Sequence, residues 1–459
     1  MVTVSEKQGV VAPGPRGLPL IGSAIPLLHD ILGTTLKGMH EYGDVVRYVA
    51  GPPGPLRVVA YAMANPDDVQ HVLAGGASHY SKQDAGYIEI RRLIGDGLLT
   101  SEGDTWRRQK RMVQPLFTHK RVGDYVDMMA EEGAGVVGRW DASARQGEKV
   151  ELHAEMARLS LRVAGRALFG SDVEEALPAF RYNIPFLSRR AFVRSITPVK
   201  IPLHWPTPGN RKATRAQSEV YGVVDDLIAR RRAAPAAGED LLSLLIAAQD
   251  PEGGVALSDG EVRDQALIFL VAGHETTATS MTFALHLLGL HPDVQTRVQE
   301  EVEEVLGDRL PVLEDVGALQ YTTMVVKEAM RLYPAAYAIP RLTEEDDEVG
   351  GYTIPAGTVA VVSPWLTHRH PRFWDDPERF NPERFTPDLE KARHRYAYFP
   401  FGGGPRACIG QYFSMLEAII AVAMIARAFR LTSPPGPVPL FPAITLRPRR
   451  AMPCTIERR

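Results

Sequence analysis

Cys408 is the residue best placed for chemistry, because it stands in a glycine-rich loop with the sequence FPFGGGPRACIGQ. The chain has only one other cysteine, Cys454, in the stretch AMPCTIERR. Four roles are open to the Cys408 sulfur: half of a disulfide, a ligand of structural zinc, part of a phosphate-binding loop, or a thiolate that faces a large cofactor. The neighbouring residues must decide between them.

The first three roles find little support. Two cysteines in unlike surroundings are too few for a disulfide framework and favour a reducing compartment. Structural zinc needs about four ligands, usually in close pairs, yet no other Cys or His lies within ten residues of Cys408. Zinc therefore stays open but poorly supported. A phosphate loop of the Walker type needs Lys and Ser or Thr after its glycines, and this loop lacks them at the required places.

A thiolate on an open face agrees better with the loop. Glycines let a backbone pass close to a flat partner, and Arg406 supplies a cation for an acidic group. The helix predicted directly after Cys408 would direct its N-terminal dipole at the sulfur and favour the thiolate. Such a thiolate serves in proteins as an axial ligand of haem iron.

The stretch FGGGPRACIG resembles the haem-ligand signature F-x-x-G-x-R-x-C-x-G of the cytochrome P450 monooxygenases. A chance match of five fixed positions in such a chain is expected on the order of once in ten thousand. The resemblance implies that Cys408 is the axial ligand of haem b and that Arg406 binds a propionate. Phe401, Gly404 and Gly410 complete the haem-ligand loop, which we place at residues 395–411.

A second motif, AGHETT at residues 272–277, interrupts an otherwise apolar helical sequence. A polar pair there is costly unless it is satisfied or used, and a Thr that bonds back to the preceding turn is the structural alternative. The stretch is similar to the family's oxygen-activation motif, where the helix kinks over the haem. The resemblance assigns hydrogen bonding of dioxygen to Thr276 and proton relay to Glu275, and it leaves His274 structural.

A third motif places Glu328 and Arg331 on one helix face, because they are three residues apart. Surface pairs of this kind contribute little. The family, however, joins such a pair to an Arg from a following PERF element, and Arg384 lies in the sequence NPERF. The resemblance therefore implies a buried, structural network of these three residues that holds the cysteine loop and retains haem.

Two further segments would bind the propionates by the same resemblance: WRRQKR, with Trp106 and Lys110, and AIPRLT, with Arg341. Lys110 stands where the family usually has Arg, so a point charge replaces a planar fork, and a neighbouring Arg is an alternative contact. In the family this proximal face also docks an acidic electron donor. The four cations of WRRQKR suit that role, although some of them would belong to a solvated basic face.

The elements that must position these residues are mostly helices. A capping box, Ser258 to Glu261, precedes the apolar run ALIFLVAG, so a helix of roughly 45 Å is predicted from about Asp259 to Leu290, surrounded by protein between Ala266 and Gly273. The runs DVVRYVAG and LRVVAYA predict a hairpin of two strands. Another helix follows the cysteine loop. We expect a mainly α fold with a smaller β-rich region, the cytochrome P450 fold, as a single domain over residues 1–459 with a Pro/Gly-rich lead-in over 1–40.

Composition excludes few classes. The 459 residues are 45% hydrophobic and 23% charged, and the net charge of -3 gives no bias toward nucleic acid or anionic membrane. The N-terminus has neither the pattern of a signal peptide nor that of a membrane anchor. We expect a cytoplasmic monomer.

The resemblance implies a haem-thiolate monooxygenase of the soluble bacterial type that activates O2 and hydroxylates or epoxidises a lipophilic small molecule, such as a terpenoid, fatty acyl or polyketide metabolite. The electrons would come from NAD(P)H through a separate ferredoxin or flavodoxin with its reductase, because no spare cysteines follow for an iron-sulfur centre. Two alternatives stay open: the same haem chemistry with desaturation, coupling or rearrangement as its outcome, and a haem-binding sensor without catalysis. The substrate-facing stretches implied by position are SKQDAGYIEIRRLIG, FRYNIPFLSRRAFV, residues 267–276, PAAYAI and the tail around FPAITL.

Overall fold

The computed structural model describes residues 10–54, 56–170, 173–197, 201–233 and 240–459. The helices are α1 (Ala24–His29), α2 (Ile31–Tyr42), α3 (Pro66–Gln70), α4 (Ala85–Ile94), α5 (Gly103–Val113), α6 (His119–Gly123), α7 (Val126–Arg145), α8 (Leu152–Phe169), α9 (Val173–Ile196), α10 (Pro208–Ala233), α11 (Leu241–Ala247), α12 (Asp259–Leu290), α13 (Pro292–Leu306), α14 (Leu313–Val316), α15 (Gln320–Leu332), α16 (Pro364–Thr367), α17 (Pro387–Ala392) and α18 (Gln411–Ala428). The strands are β1 (Val45–Ala50), β2 (Val58–Met63), β3 (Tyr80–Ser81), β4 (Lys149–Glu151), β5 (Ile339–Thr343), β6 (Asp347–Val349), β7 (Tyr352–Ile354), β8 (Val359–Val362), β9 (Phe429–Thr432), β10 (Leu440–Pro442), β11 (Leu446–Pro448) and β12 (Pro453–Arg458). The predicted mainly α fold with a smaller strand-containing part is confirmed.

The chain divides into two compact units. The β-rich unit contains the residues up to Ala85, Ala336–Arg379 and Ala392–Cys408. The helical unit contains Gly86–Ala335, Phe380–Lys391 and Ile409–Arg459. The single-domain organisation expected for residues 1–459 stays a prediction.

The Pro/Gly-rich lead-in ends earlier than expected. Residues 10–23 are irregular apart from a short bridge between Leu18 and Gly22, but α1 and α2 occupy Ala24–His29 and Ile31–Tyr42. The helices therefore occupy the second part of the expected lead-in over residues 1–40, and its Pro/Gly-rich stretch before Ala24 is irregular. Asp30 explains the second helix locally, because its side chain accepts a hydrogen bond from the Gly33 backbone amide and caps the helix.

The β-rich unit is built on a five-stranded sheet with the order β1-β2-β8-β5-β3. The predicted hairpin is confirmed, since β1 pairs antiparallel with β2 from Val45 opposite Met63 to Ala50 opposite Val58. Strand β2 pairs in parallel with β8, and β5 then pairs antiparallel with both β8 and β3. A separate hairpin of β6 and β7 completes this unit's strands among the described residues.

The helical unit is organised around α12, which spans the predicted residues Asp259–Leu290 and begins with the predicted capping box of Ser258 and Glu261. Every residue from Thr277 to Gly289 is buried. The expectation that protein surrounds the helix between Ala266 and Gly273 is wrong in part: residues 266–268 and 270 are buried, but Ala272 is exposed and Phe269, Val271 and Gly273 are half-buried. Protein side chains therefore cover α12 incompletely at this point.

The helix after the cysteine loop, α18, is confirmed at Gln411–Ala428. By length and composition it is apolar enough to cross a membrane, but 67% of its apolar window is buried inside the protein. It packs against α7, α12 and α13 in the helical unit. Its apolar character is therefore that of a core helix.

Candidate functional site

The cysteine loop of the β-rich unit is held by its own backbone. The Cys408 amide donates a hydrogen bond to the Phe401 carbonyl (2.9 Å), and the Gly402 amide donates to the Phe399 carbonyl (2.9 Å). A single 3-10 turn, Gly404–Arg406, lies between them. Neither cysteine is in a disulfide, and Cys408 is exposed whereas Cys454 is buried. The loop thus presents one accessible thiol on a fixed backbone.

Two glycines of this loop make room for the protein itself. Gly404 has φ +65°, and a Cβ there would lie 1.8 Å from the Leu73 carbonyl oxygen. A Cβ on Gly403 would lie 2.4 Å from the ring of Tyr396. This corrects the expectation that these glycines clear the face of a flat partner, since the space beside them is filled by neighbouring chain. Both glycines let the loop pack closely, and Gly404 also lets it turn through the left-handed region.

The β-rich unit also carries two of the predicted propionate ligands. Arg341 lies in β5 and is buried, with Nη1 donating to the carbonyl of Pro340 at 2.9 Å. Arg406 is half-buried at the end of the 3-10 turn. One unit therefore supplies an accessible thiol, one buried guanidinium group and one half-buried guanidinium group, a donor set that suits an iron porphyrin with acidic side chains.

The predicted oxygen-activation residues lie on α12 in the helical unit. The Thr276 hydroxyl donates to the Ala272 carbonyl at 2.7 Å, which is the bond back to the preceding turn that was the structural alternative for this residue. The helix stays continuous through this point. His274 is buried, and its Nδ1 lies 3.0 Å from the Leu270 carbonyl oxygen, an arrangement that suits a structural role. Thr276 itself is half-buried beside the exposed Ala272.

Glu275 has a partner that sequence reasoning did not identify. Its Oε2 accepts a hydrogen bond from the hydroxyl of Thr445 at 3.0 Å. Thr445 lies in the tail stretch FPAITL, between β10 and β11. Only the position of that tail in the family pointed to it beforehand, as a substrate-facing segment.

Trp106 and Lys110 lie together on α5, with Lys110 Nζ 5.1 Å from the centre of the Trp106 ring. Both are half-buried. This cation-π contact is worth about 0.5–1 kcal/mol at a partly exposed site. It places the ammonium group over the indole, so the two side chains form one unit in the helical part of the chain.

The three arginines of α5 are paired with acidic side chains. Arg107 pairs with Asp104 and Arg108 pairs with Glu261. Arg111 contacts Asp250 at 3.1 Å, and also Glu252. The +4 charge expected from the sequence is therefore largely compensated in the folded protein.

Glu328, Arg331 and Arg384 lie together inside the helical unit. Arg331 donates twice to the Glu328 carboxylate, from Nε at 2.7 Å and from Nη2 at 2.8 Å, and both side chains are fully buried. Arg384 Nε lies 3.4 Å from Glu328 Oε1. The backbone amide of Asn381 adds a hydrogen bond of 2.9 Å to the same oxygen, a contact that the motif spacing does not reveal.

Gly410, the last residue of the cysteine signature, precedes the first turn of α18 in the helical unit. Within that unit the ring of His119 lies 4.3 Å from the ring of Tyr412. His119 begins α6, whose following residues Lys120 and Arg121 are exposed. Two exposed cations therefore lie beside the start of the helix that follows the cysteine.

The chain is similar to proteins of known family and activity. The family model described as Cytochrome P450 matches residues 12–454. The chain is 37% identical to the cyclooctat-9-en-7-ol 5-monooxygenase of Streptomyces melanosporofaciens, over 94% of this chain and 92% of that protein. It is 32% identical to the pentalenene oxygenase of Streptomyces avermitilis, over 97% of each. Among solved structures, the haem domain of cytochrome P450DA is similar with a TM-score of 0.86 and 27% identity, over 98% of each chain.

Proposed function

The chain belongs to the cytochrome P450 family, and from that premise we propose that it hydroxylates or epoxidises a terpenoid at a haem held by Cys408. It is a monooxygenase that uses haem, O2 and a lipophilic substrate, with electrons that reach it from NAD(P)H through redox partners. When bound, haem ligated by a thiolate supplies the reductive splitting of O2. The chain's own residues must hold the cofactor, position the substrate and move protons.

In this proposal Cys408 Sγ would ligate the haem iron. The fixed backbone between Phe401 and Cys408 supports this role, because a ligand that does not move keeps the iron in one position. Arg341 and Arg406 would neutralise the propionates from the β-rich unit, and Trp106 and Lys110 from the helical unit. Phe401, Gly404 and Gly410 would serve by shaping the loop.

Proton handling is assigned to α12. Thr276 would turn its hydroxyl from the Ala272 carbonyl toward dioxygen, and this rotation costs one hydrogen bond of about 1 kcal/mol. Glu275 would pass protons inward, with Thr445 holding one of its carboxylate oxygens. A carboxylate with one oxygen held and the other free is suited to accept and release a proton at a fixed place.

The substrate proposal rests on the names of two related proteins. Two proteins matched over nine-tenths of their length oxidise, by name, cyclooctat-9-en-7-ol and pentalenene. Ala272 on α12 is exposed and Phe269 is half-buried, and both are apolar, which agrees with a hydrocarbon-like substrate. The terpenoid class is therefore favoured over fatty acyl and polyketide metabolites.

We assign electron delivery to a ferredoxin-type protein that docks on exposed cations of the helical unit. Because the arginines of α5 are paired with acidic side chains, we assign this role to Lys120 and Arg121 and not to the predicted basic cluster on α5. Complementary charge of this kind mainly raises the rate of association. We further propose that the protein acts as a cytoplasmic monomer.

Turnover of purified haem-loaded protein with a surrogate ferredoxin, its reductase and a panel of terpene alkenes and alcohols tests the proposal. We expect a spectral shift on substrate binding and a product that contains one atom of isotopically labelled O2. A desaturated, coupled or rearranged product without the label would contradict oxygen insertion, and binding of fatty acids or polyketides alone would contradict the substrate class. Thr276→Ala should lower the product formed per NADPH on the order of tenfold, and Thr276→Ser should retain it.

A further inference from the structure

A cluster of metal-binding side chains lies in the β-rich unit, among residues that the haem chemistry does not use. His71, His79 and Asp347 each offer one ligand atom, and these atoms all lie within 4.8 Å of one another. Asp347 Oδ2 lies 2.8 Å from His71 Nε2 and 3.4 Å from His79 Nδ1. The sequence does not reveal the cluster, because Asp347 is 276 positions from His71.

The distances agree with a shared ion. Zinc bonds to histidine and carboxylate of about 2.0–2.2 Å, in a tetrahedron, separate the ligand atoms by roughly 3.3–3.5 Å. Two of the three separations, 2.8 and 3.4 Å to the Asp347 oxygen, are near that value, and the two histidine nitrogens lie within 4.8 Å of each other. Two nitrogens and one oxygen match borderline transition metals, whereas Ca²⁺ and Mg²⁺ prefer oxygen ligands throughout.

His79 is oriented as a metal ligand usually is. Its Nε2 lies 3.3 Å from the Glu345 carboxylate, which favours the tautomer with hydrogen on Nε2 and a lone pair on Nδ1. Its Nδ1 is a buried atom that makes no hydrogen bond to any described residue, although it faces Asp347 Oδ2. A ligating histidine typically donates its other ring N–H to a carboxylate in this way. The unpartnered Nδ1 is thus a second observation that points to a ligand.

The backbone fixes the cluster before any ion binds. The Gly76 amide donates to the His71 carbonyl (2.7 Å), and the His79 amide donates to the Gly76 carbonyl (2.9 Å). The Glu344 amide then donates to the His79 carbonyl (2.8 Å). A preformed arrangement lowers the entropy that binding would otherwise cost.

The carboxylate is also held in place. The Tyr80 hydroxyl donates to Asp347 Oδ2 at 2.7 Å, and the Glu348 amide donates to Oδ1 at 2.8 Å. The Asp347 side chain is 9% exposed, while those of His71 and His79 are 37% and 36% exposed, so an ion can reach the cluster from solvent.

We propose that His71, His79 and Asp347 form a binding site for one divalent transition-metal ion of the Zn²⁺ type, with water as its remaining ligand and Glu345 orienting His79. The site is coupled to the cysteine loop within the same unit. His71 begins the single π-helical turn His71–Gly75, and the Leu73 carbonyl of that turn is the group packed against Gly404. Metal binding should therefore stabilise the packing beneath the loop.

Equilibrium dialysis of the haem-loaded protein, without a polyhistidine tag, against ZnCl2 tests the site. Wild type should bind one Zn²⁺ per chain by atomic emission, and should bind no Mg²⁺ at the same concentration. His79→Ala and Asp347→Asn should each weaken Zn²⁺ binding by at least about a hundredfold, and Glu345→Gln by roughly tenfold. His29→Ala removes an exposed histidine of the same unit outside the cluster, and it should bind as wild type does.

Heating provides the second measurement, since a ligand that binds only the folded state raises its stability. Zn²⁺ should raise the temperature at which wild type loses its thiolate-type haem absorption, and should leave Asp347→Asn unchanged. Circular dichroism and the haem spectrum of each variant establish that it is folded. The proposal would be overturned if wild type did not bind Zn²⁺, or if folded Asp347→Asn bound it as well as wild type does. The three side chains would then serve only as hydrogen-bonding groups that support the structure.

Discussion

The Thr445 hydroxyl donates a hydrogen bond to Glu275 Oε2 across 3.0 Å, between residues 170 positions apart in the chain. The segment that carries Thr445 is itself fixed to α12, because the Thr279 hydroxyl donates to the Leu446 carbonyl at 3.1 Å. The Leu446 amide in turn donates to the Ala335 carbonyl at 2.8 Å. The orientation of the Glu275 carboxylate is thus set by a loop near the end of the chain.

Replacement of Thr445 tests whether this contact serves proton delivery. Thr445→Val removes the hydroxyl with little change of volume, and a hydrogen bond to a charged group is worth about 1.5–3 kcal/mol. We expect on the order of a tenfold drop in product formed per NADPH and a larger solvent isotope effect, with little change in substrate affinity. Thr445→Ser should restore wild-type coupling.

Thr279→Val is the matched control for Thr445, since it breaks a hydrogen bond of the same interface that does not involve Glu275. It should change stability more than coupling. Equal coupling in Thr445→Val and wild type would remove Thr445 from the proton path.

The carboxyl group of Glu417 should make the stability of the folded protein depend on pH. It is buried in α18, and burial raises the pKa of its carboxyl group from the ordinary 4.5 to about 8, with the neighbouring Ser160 side chain as a partial offset. Between about pH 4.5 and 8 the folded state holds a proton that the unfolded chain has lost, so this group makes stability fall as the pH rises through that window.

Glu417→Gln removes this titration while keeping the shape of the side chain. The variant should unfold on the order of 2–4 °C above wild type at pH 8, and the difference should shrink toward zero near about pH 4.5. Thermal unfolding followed by circular dichroism at several pH values measures it. Glu300→Gln, at an exposed position, should show no such trend, and a pH-independent difference in Glu417→Gln would contradict the buried, protonated state.

The Glu328–Arg331 pair should dominate the stability of the helical unit around α15. Removal of one partner from a fully buried pair leaves the other charge uncompensated, at a cost of about 3–5 kcal/mol. Glu328→Gln should therefore lower the denaturant midpoint for haem loss sharply. Glu390→Gln is a suitable control, because it breaks the partly exposed pair with Lys327 and should cost at most about 1 kcal/mol; equal effects of the two variants would contradict the structural role.

Docking of the electron donor should depend on Lys120 and Arg121. Charge reversal of both should slow reduction by a ferredoxin on the order of tenfold at low salt, with a smaller effect at high ionic strength because salt screens exposed charges. Stopped-flow reduction measures this rate. Arg211→Glu, an exposed position on α10, should leave it unchanged, and an unaltered rate in the double variant would exclude this surface.

The sequence predicted those features of the structure that depend on residues close together in the chain. The capping box and the apolar run after it placed α12 at its observed bounds, and the spacing of Glu328 and Arg331 placed both on one helix face. The sequence of the cysteine loop identified the thiol without any structure. These features depend on residues within a few positions of one another.

The features that sequence reasoning missed join distant segments. Nothing near Glu275 indicates Thr445, and nothing near His71 indicates Asp347. The pairing of Arg108 and Arg111 was missed for the same reason, since Glu261 and Asp250 come far later in the chain. Such pairings are set by tertiary packing, which a pattern in one segment does not contain.

The central claim is that the Cys408 thiolate ligates haem iron, and the reduced carbon monoxide difference spectrum tests it most directly. Wild type should show the Soret band typical of thiolate ligation, and Cys408→Ala should lack it while circular dichroism shows an intact fold. Retention of that band in folded Cys408→Ala, or its absence from folded, haem-loaded wild type, would contradict the account.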